Sequence, residues 1–202
     1  MSQLVSGQSL KLSVFIRVLL FLLDTMKKIV LVLNVFILTA SQKPENLINF
    51  NVFHDNETFS SFFNESLVGR GCEAAGNFSI VVHGWYGSGY DSEWIPDLIA
   101  NLQEFRGGCV IFMNYSFYSD RLNYLESISF FKPVSNVLLK KLWQMENEGI
   151  SGDSIFMFGF SFGGRIVIDA AVNFGKQKIH RIDSELSHTR KFDYFVIYTC
   201  SL

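Results

Sequence analysis

The chain has 202 residues, of which 49% are hydrophobic, 15% aromatic and 18% charged, and its net charge is −2. That balance excludes a broad polyanion-binding surface, so no nucleic-acid partner is implied. The length suffices for one domain with a proper core, and no internal repeat or low-complexity tract interrupts it.

The amino end is the most apolar part. Two hydrophobic runs, 12–23 and 29–38, are separated by Asp24, Lys27 and Lys28, and the first contains Arg17. Neither reaches the ~18–20 uninterrupted apolar residues of a membrane-spanning helix. Residues 26–41 have the layout of a secretory signal: a basic start at Met26-Lys27-Lys28, an apolar run from Ile29 to Leu38, and small residues at Thr39-Ala40-Ser41. Residues 1–25 then read as an upstream extension. The expectation is a secreted, extracellular chain with no transmembrane span after cleavage; the competing reading is a signal anchor built from both runs. Acceptor sequons for N-glycosylation begin at Asn56, Asn64 and Asn77, which suits secretion. A fourth, at Asn114, follows a buried-looking strand and is expected to stay unmodified.

Beyond the signal, Leu47 to Phe53 alternates and reads as a first strand. His54 to Gly76 is polar and reads mostly as loop. Phe78 to Val82 is a continuous apolar run, as in a buried strand, and ends in the glycine-rich stretch His83 to Gly89. Trp94 to Phe105 reads as a helix, with Ile95, Leu98, Ile99, Leu102 and Phe105 on one side and Arg106-Gly107-Gly108 as its stop. Cys109 to Met113 is another buried strand, and Asn114 to Phe131 a long aromatic loop. Pro133 opens a helix whose apolar positions are Val134, Val137, Leu138, Leu142 and Met145. Cys72 and Cys109 stand just before or at the start of predicted strands; if those strands are neighbours, a disulfide between them is geometrically possible, with Cys200 left over. No metal-binding Cys/His spacing is present, and no cofactor is implied.

Ile155 to Phe158 then leads into Gly159-Phe160-Ser161-Phe162-Gly163, and Arg165 to Phe174 is helix-compatible. Strand, tight turn and helix are the context in which a G-x-S-x-G pattern becomes a nucleophile elbow. The serine sits on a strained turn, the glycines admit the incoming strand and outgoing helix, and the helix start aims free N–H groups at a developing oxyanion. Alternation of strands and helices predicts an α/β fold, a mostly parallel sheet with helices on both faces. Right-handed crossovers would bring Val82, Met113 and Phe158 to one edge, where ligands bind, so the His83-Gly84-Trp85 loop and Ser161 are expected on the same rim.

Val81-Val82-His83-Gly84-Trp85 followed by Gly159-Phe160-Ser161-Phe162-Gly163-Gly164 resembles the secreted neutral lipases, the pancreatic-lipase and phospholipase A1 group of the α/β-hydrolases, including its insect branch. The resemblance runs from about Asn46 to Asp183. It implies an α/β-hydrolase with an incomplete sheet, Ser161 as nucleophile, the backbone N–H groups of Trp85 and Phe162 as oxyanion donors, and a structural His83. Gly84, Gly159 and Gly163 support the motifs. Asn114 stands where the family usually has an acidic residue. Phe160, Phe162 and Trp85 would line a mouth for an acyl chain, or else pack in the core. The implied substrate is a lipid ester met at a lipid–water interface.

The match stops after Lys178-Ile179-His180-Arg181-Ile182-Asp183. In this fold the triad runs Ser, then Asp or Glu, then His. The acidic position expected shortly after Asp183 is Leu186, and no later strand and loop carries a base histidine. Asp183 and His188 are poor substitutes, and 184–202 read as a non-matching tail, with 192–199 apolar enough for a strand. Residues 42–183 are therefore expected to form the N-terminal part of a lipase-type domain that is inactive as written. The alternative function is a non-catalytic lipid-binding or storage-type protein of the same fold.

Overall fold

The computed structural model describes residues 22–30, 43–55, 57–86, 92–121, 123–175, 179–185 and 197–200. The chain forms two compact units, Met1–Gln42 and Lys43–Leu202. In the first, residues 22–30 are helical (α1), with Lys28 paired to Asp24 one turn away at 2.7 Å. Most of the apolar run of the expected signal, and its cleavage region, lie outside the described residues. Among the described residues no helix is long and apolar enough to cross a membrane.

The second unit is built on one sheet. Its strands are β1 (Asn49–His54), β2 (Glu57–Ser61), β3 (Phe78–Val82), β4 (Cys109–Asn114), β5 (Ile155–Phe160), β6 (Arg181–Glu185) and β7 (Ile197–Cys200). Its helices are α2 (Trp94–Arg106), α3 (Ser116–Ser119), α4 (Tyr124–Ser129), α5 (Phe131–Asn147) and α6 (Phe162–Phe174). The strand order is β2-β1-β4-β3-β5-β6-β7. The central four strands are parallel, while β1, β2 and β7 join by antiparallel pairing. In register, Val82 stands opposite Met113 on one side and Gly159 on the other, so the carboxyl ends of β3, β4 and β5 share one edge.

Helices cover both faces. Phe78, Ile80 and Val82 pack with α5 and α6, while Val81, Phe112 and Phe156 pack with Ile95, Ile99 and Leu102 of α2. This two-sided burial is why β3 and β4 read as unbroken apolar runs rather than alternating ones. With a strained serine turn at its centre, described below, this mixed sheet has the α/β-hydrolase architecture.

The stretch 54–76 is mostly loop, as expected, and also holds β2, which pairs antiparallel with β1 after a turn at Asp55, whose φ is 47°. As an edge strand with a mostly exposed, polar spelling, β2 carries no apolar signal. Three expectations are corrected. The aromatic stretch after Asn114 is not loop, because it folds as α3 and α4. The Asn123 side chain caps α4 by accepting from the Leu125 N–H at 3.0 Å. The following helix, α5, starts at Phe131, with Pro133 inside its first turn. Phe105, expected on the buried side of α2, is 79% exposed, and the inward place is taken by Arg106, whose guanidinium lies 5.0 Å over the Phe156 ring. Ser184 and Glu185 continue β6, and residues 197–200, which overlap the stretch 192–199 read as apolar enough for a strand, pair with it as β7; residues 192–196 lie outside the described residues.

Away from the shared edge, α5 ties down the segment that follows β2. Lys141, fully buried, donates to the carbonyls of Phe62 at 3.2 Å and Glu65 at 2.9 Å and to Ser61 Oγ at 3.3 Å. Glu148 Oε2 accepts from the N–H groups of Leu67 and Val68 at 3.0 and 3.1 Å. A disulfide joins Cys72 to Cys109, with the two Cα atoms 6.0 Å apart, and so fastens this segment to the start of β4.

Candidate active site

Ser161 is the link between β5 and α6. Its backbone has φ 51° and ψ −113°, in a region that side chains seldom adopt, so the residue is held there by its surroundings. The glycines show how. A β-carbon on Gly159 would stand 2.6 Å from the Gly163 carbonyl oxygen and from the Gly164 N and Cα. One on Gly163 would stand 2.3 Å from the His83 carbonyl oxygen and 2.4 Å from that of Val82. The two hydrogens of the G-x-S-x-G pattern thus let α6 fold back on β5 and lean on the end of β3.

The same packing brings the second motif to the serine. A β-carbon on Gly84 would be 3.0 Å from Phe160 Cδ1 and 3.3 Å from Ser161 Cβ, so the His83-Gly84-Trp85 turn lies directly against the elbow. Strand topology alone predicts this meeting on one rim.

His83 is buried. Its ring stacks on Tyr115 at 4.2 Å and on Phe112 at 5.5 Å, and Nδ1 lies 2.9 Å from the Gly84 carbonyl. A carbonyl only accepts, so Nδ1 carries the proton. Burial lowers the imidazole pKa to about 4, against the raising influence of the Gly84 bond and of Asp120. Nε2 is buried with no partner. The ring is therefore a neutral brace and not a base. Its effect falls on the neighbouring donor: a trans peptide is planar, so pinning the Gly84 carbonyl also fixes the direction of the Trp85 N–H.

Among the described residues, no backbone carbonyl accepts from the Trp85 N–H. The Phe162 N–H opens α6 and has no intrahelical acceptor, while Gly164 N–H turns back to Ser161 O at 3.1 Å. Among the described residues, then, neither the Trp85 N–H nor the Phe162 N–H beside the strained serine has a backbone acceptor. The side chains divide differently from the expected mouth. Phe162 is buried, edge-on to Phe131 at 5.9 Å and Tyr124 at 6.2 Å, so it belongs to the core. Trp85 is half-buried, its Nε1 donating to the Arg121 carbonyl at 3.0 Å and its ring 5.1 Å from Tyr124. Phe160 is half-buried against Trp94 at 5.4 Å.

The remaining candidates lie elsewhere or serve other ends. Asn114 Oδ1 accepts from the Ser116 N–H at 3.0 Å and starts α3. Asp183 Oδ1 accepts from Arg181 Nε at 2.8 Å. Of the four histidines, His188 lies outside the described residues. His180 N–H bonds Gly152 O, before β5 begins, and His54 ends the antiparallel β1; both stand at the amino edge of the central strands, away from Ser161. Asn64 and Asn77 are exposed, Asn77 Nδ2 donating to the Arg106 carbonyl at 2.7 Å; Asn56 lies outside the described residues. Among the described residues no cluster of three or more His, Cys, Asp or Glu could hold a metal ion. Sequence reasoning missed Tyr115, whose hydroxyl donates to the His83 carbonyl at 2.6 Å; its one signal is its place directly after β4.

No family model matches the sequence, and no curated protein does. Among solved structures, the chain is similar to a "putative carboxylesterase" from Lactobacillus plantarum WCFS1, at 12% identity and a TM-score of 0.35. The likeness covers 67% of this chain, which spans 57% of the length of that one.

Proposed function

We propose that the chain derives from a secreted carboxylic-ester hydrolase of the lipase or phospholipase A1 type, with Ser161 as its nucleophile. One observation carries the reading: the His83-Gly84-Trp85 turn abuts a serine held at φ 51°. In the reaction, Ser161 Oγ attacks an ester carbonyl and gives its proton to a general base. The carbonyl oxygen, now an oxyanion, is held by the N–H groups of Trp85 and Phe162. Collapse expels the alcohol, and water then releases the acid from the acyl-enzyme. Half-buried aromatic side chains at Trp85, Trp94 and Phe160 suit an apolar acyl chain met at a lipid–water interface. The Cys72–Cys109 disulfide and the exposed asparagines of the sequons at Asn64 and Asn77 fit secretion into an oxidising compartment.

A second reading, a non-catalytic lipid-binding or storage-type protein, is favoured by the histidines. Among the described residues, two stand at the wrong edge of the sheet and the third is a neutral brace. A fluorophosphonate probe separates the two readings. The hydrolase reading expects slow labelling of Ser161, driven by the backbone donors without a base histidine and abolished by Ser161→Ala; labelling no faster than for a denatured chain would favour the binding protein.

A further inference from the structure

The turn that carries Trp85 is braced from one side by residues 115–121, which follow β4. The Tyr115 hydroxyl donates to the His83 carbonyl at 2.6 Å, the Tyr86 N–H donates to the Ser119 carbonyl at 3.0 Å, and Trp85 Nε1 donates to the Arg121 carbonyl at 3.0 Å. The first bond differs in kind from the others. It fixes the peptide plane between His83 and Gly84, while the His83 imidazole fixes the next plane through the Gly84 carbonyl. Gly84, between these planes, has no side chain to resist rotation. With both carbonyls held, the Trp85 N–H has one direction left.

We propose that Tyr115 is a positioning residue for ester cleavage at Ser161, its hydroxyl aiming the Trp85 N–H at the oxyanion by holding the His83 carbonyl. The inference rests on the hydrolase reading above. Tyr115 is fully buried and its ring lies against the His83 imidazole, so the hydroxyl has no freedom to leave its acceptor. Burial raises its pKa well above the usual phenol value, and the proton stays on the donor. The His83 carbonyl also touches the first turn of α6 at Gly163, so its displacement reaches the side of the site where Phe162 lies as well.

The test uses the full chain as wild type, Tyr115→Phe and a remote control, Ser135→Ala. The control removes a 2.6 Å hydrogen bond from Ser135 to Asp169 between α5 and α6. For each, the saturating rate of fluorophosphonate labelling, the half-saturating probe concentration and the Tm are measured. Tyr115→Phe is expected to lower the saturating rate ~10-fold with half-saturation unchanged, part of the loss seen when an oxyanion donor is removed. Ser135→Ala is expected to label at the wild-type rate despite its own loss of Tm. A wild-type rate in Tyr115→Phe overturns the inference, and so does equal slowing in both variants, which would report general loosening. Absence of Ser161 labelling in the wild type overturns the hydrolase reading itself, and that arm is read first. If Tyr115→Phe does not fold, 3-fluorotyrosine at 115 offers a stronger donor in nearly the same volume. A changed saturating rate at constant half-saturation supports the inference, and an unchanged rate overturns it.

Discussion

The turn at residues 83–86 and the segment at 62–71 are both held by side chains that bond their backbone groups. At the first, the groups are neutral: the His83 imidazole and the Tyr115 hydroxyl each donate to a carbonyl of the turn. At the second they are ions: Lys141 donates to two carbonyls and a hydroxyl, and Glu148 accepts from two N–H groups. The ionic clamp engages carbonyls and N–H groups alike. The neutral clamp occupies carbonyls alone, and among the described residues it leaves the Trp85 N–H without a backbone acceptor. A site that must present bare donors is served by the second arrangement of the two only at the expense of those donors.

This contrast can be broken most forcefully through the backbone contact beneath the turn. Gly163→Ala would press a methyl into the His83 and Val82 carbonyls at 2.3 and 2.4 Å, neither of which can yield without moving the end of β3. Thermal unfolding is expected to show a loss of about 3 kcal/mol or more, or no folded chain at all. A near-neutral result would mean that α6 does not lean on β3 as described.

The two clamps should also answer pH in different ranges. The unfolded chain takes up a proton at His83 near 6.5, and the folded chain only near 4. Between these values the unfolded state binds more protons, so stability falls as pH drops through that window, by about 3 kcal/mol. Denaturant unfolding against pH checks this, and His83→Asn should flatten the acid limb. Lys141 answers at the other end. Burial, opposed by Glu148 and Glu65, lowers its pKa from 10.5 to about 8. Between 8 and 10.5 the unfolded chain holds a proton that the folded chain has released, so stability rises with pH there, by about 3 kcal/mol. The same titration on Lys141→Met should lack that rise. The smallest effect is expected at the remaining ion. Glu148→Gln keeps an oxygen facing the Leu67 and Val68 N–H groups but loses its charge, at a cost of about 1 kcal/mol by denaturant unfolding. Its fluorophosphonate labelling should match the wild type, because the segment it serves plays no part at Ser161.

The legible parts of this fold were those whose neighbours are local or whose burial is two-sided. β3 and β5 declare themselves as apolar runs, and the glycines around Ser161 mark the elbow because close backbone contact leaves no other residue type room. β2 stayed hidden because an edge strand has one side in water and a polar spelling to match. α3 and α4 stayed hidden because pieces of four and six residues are too short to show a helical period, and their aromatic side chains point in several directions. The brace at Tyr115 could not be read at all. It joins residues 32 positions apart, and the register of β4 against β3 creates the contact.

The backbone at Ser161 has one last implication. A residue with φ 51° and ψ −113° would rest more comfortably as glycine, and Ser161→Gly is expected to raise the Tm even as it deletes the hydroxyl. A lineage indifferent to that oxygen would drift toward the easier residue. A measured rise would show that the hydroxyl is carried on this perch at a cost to the fold.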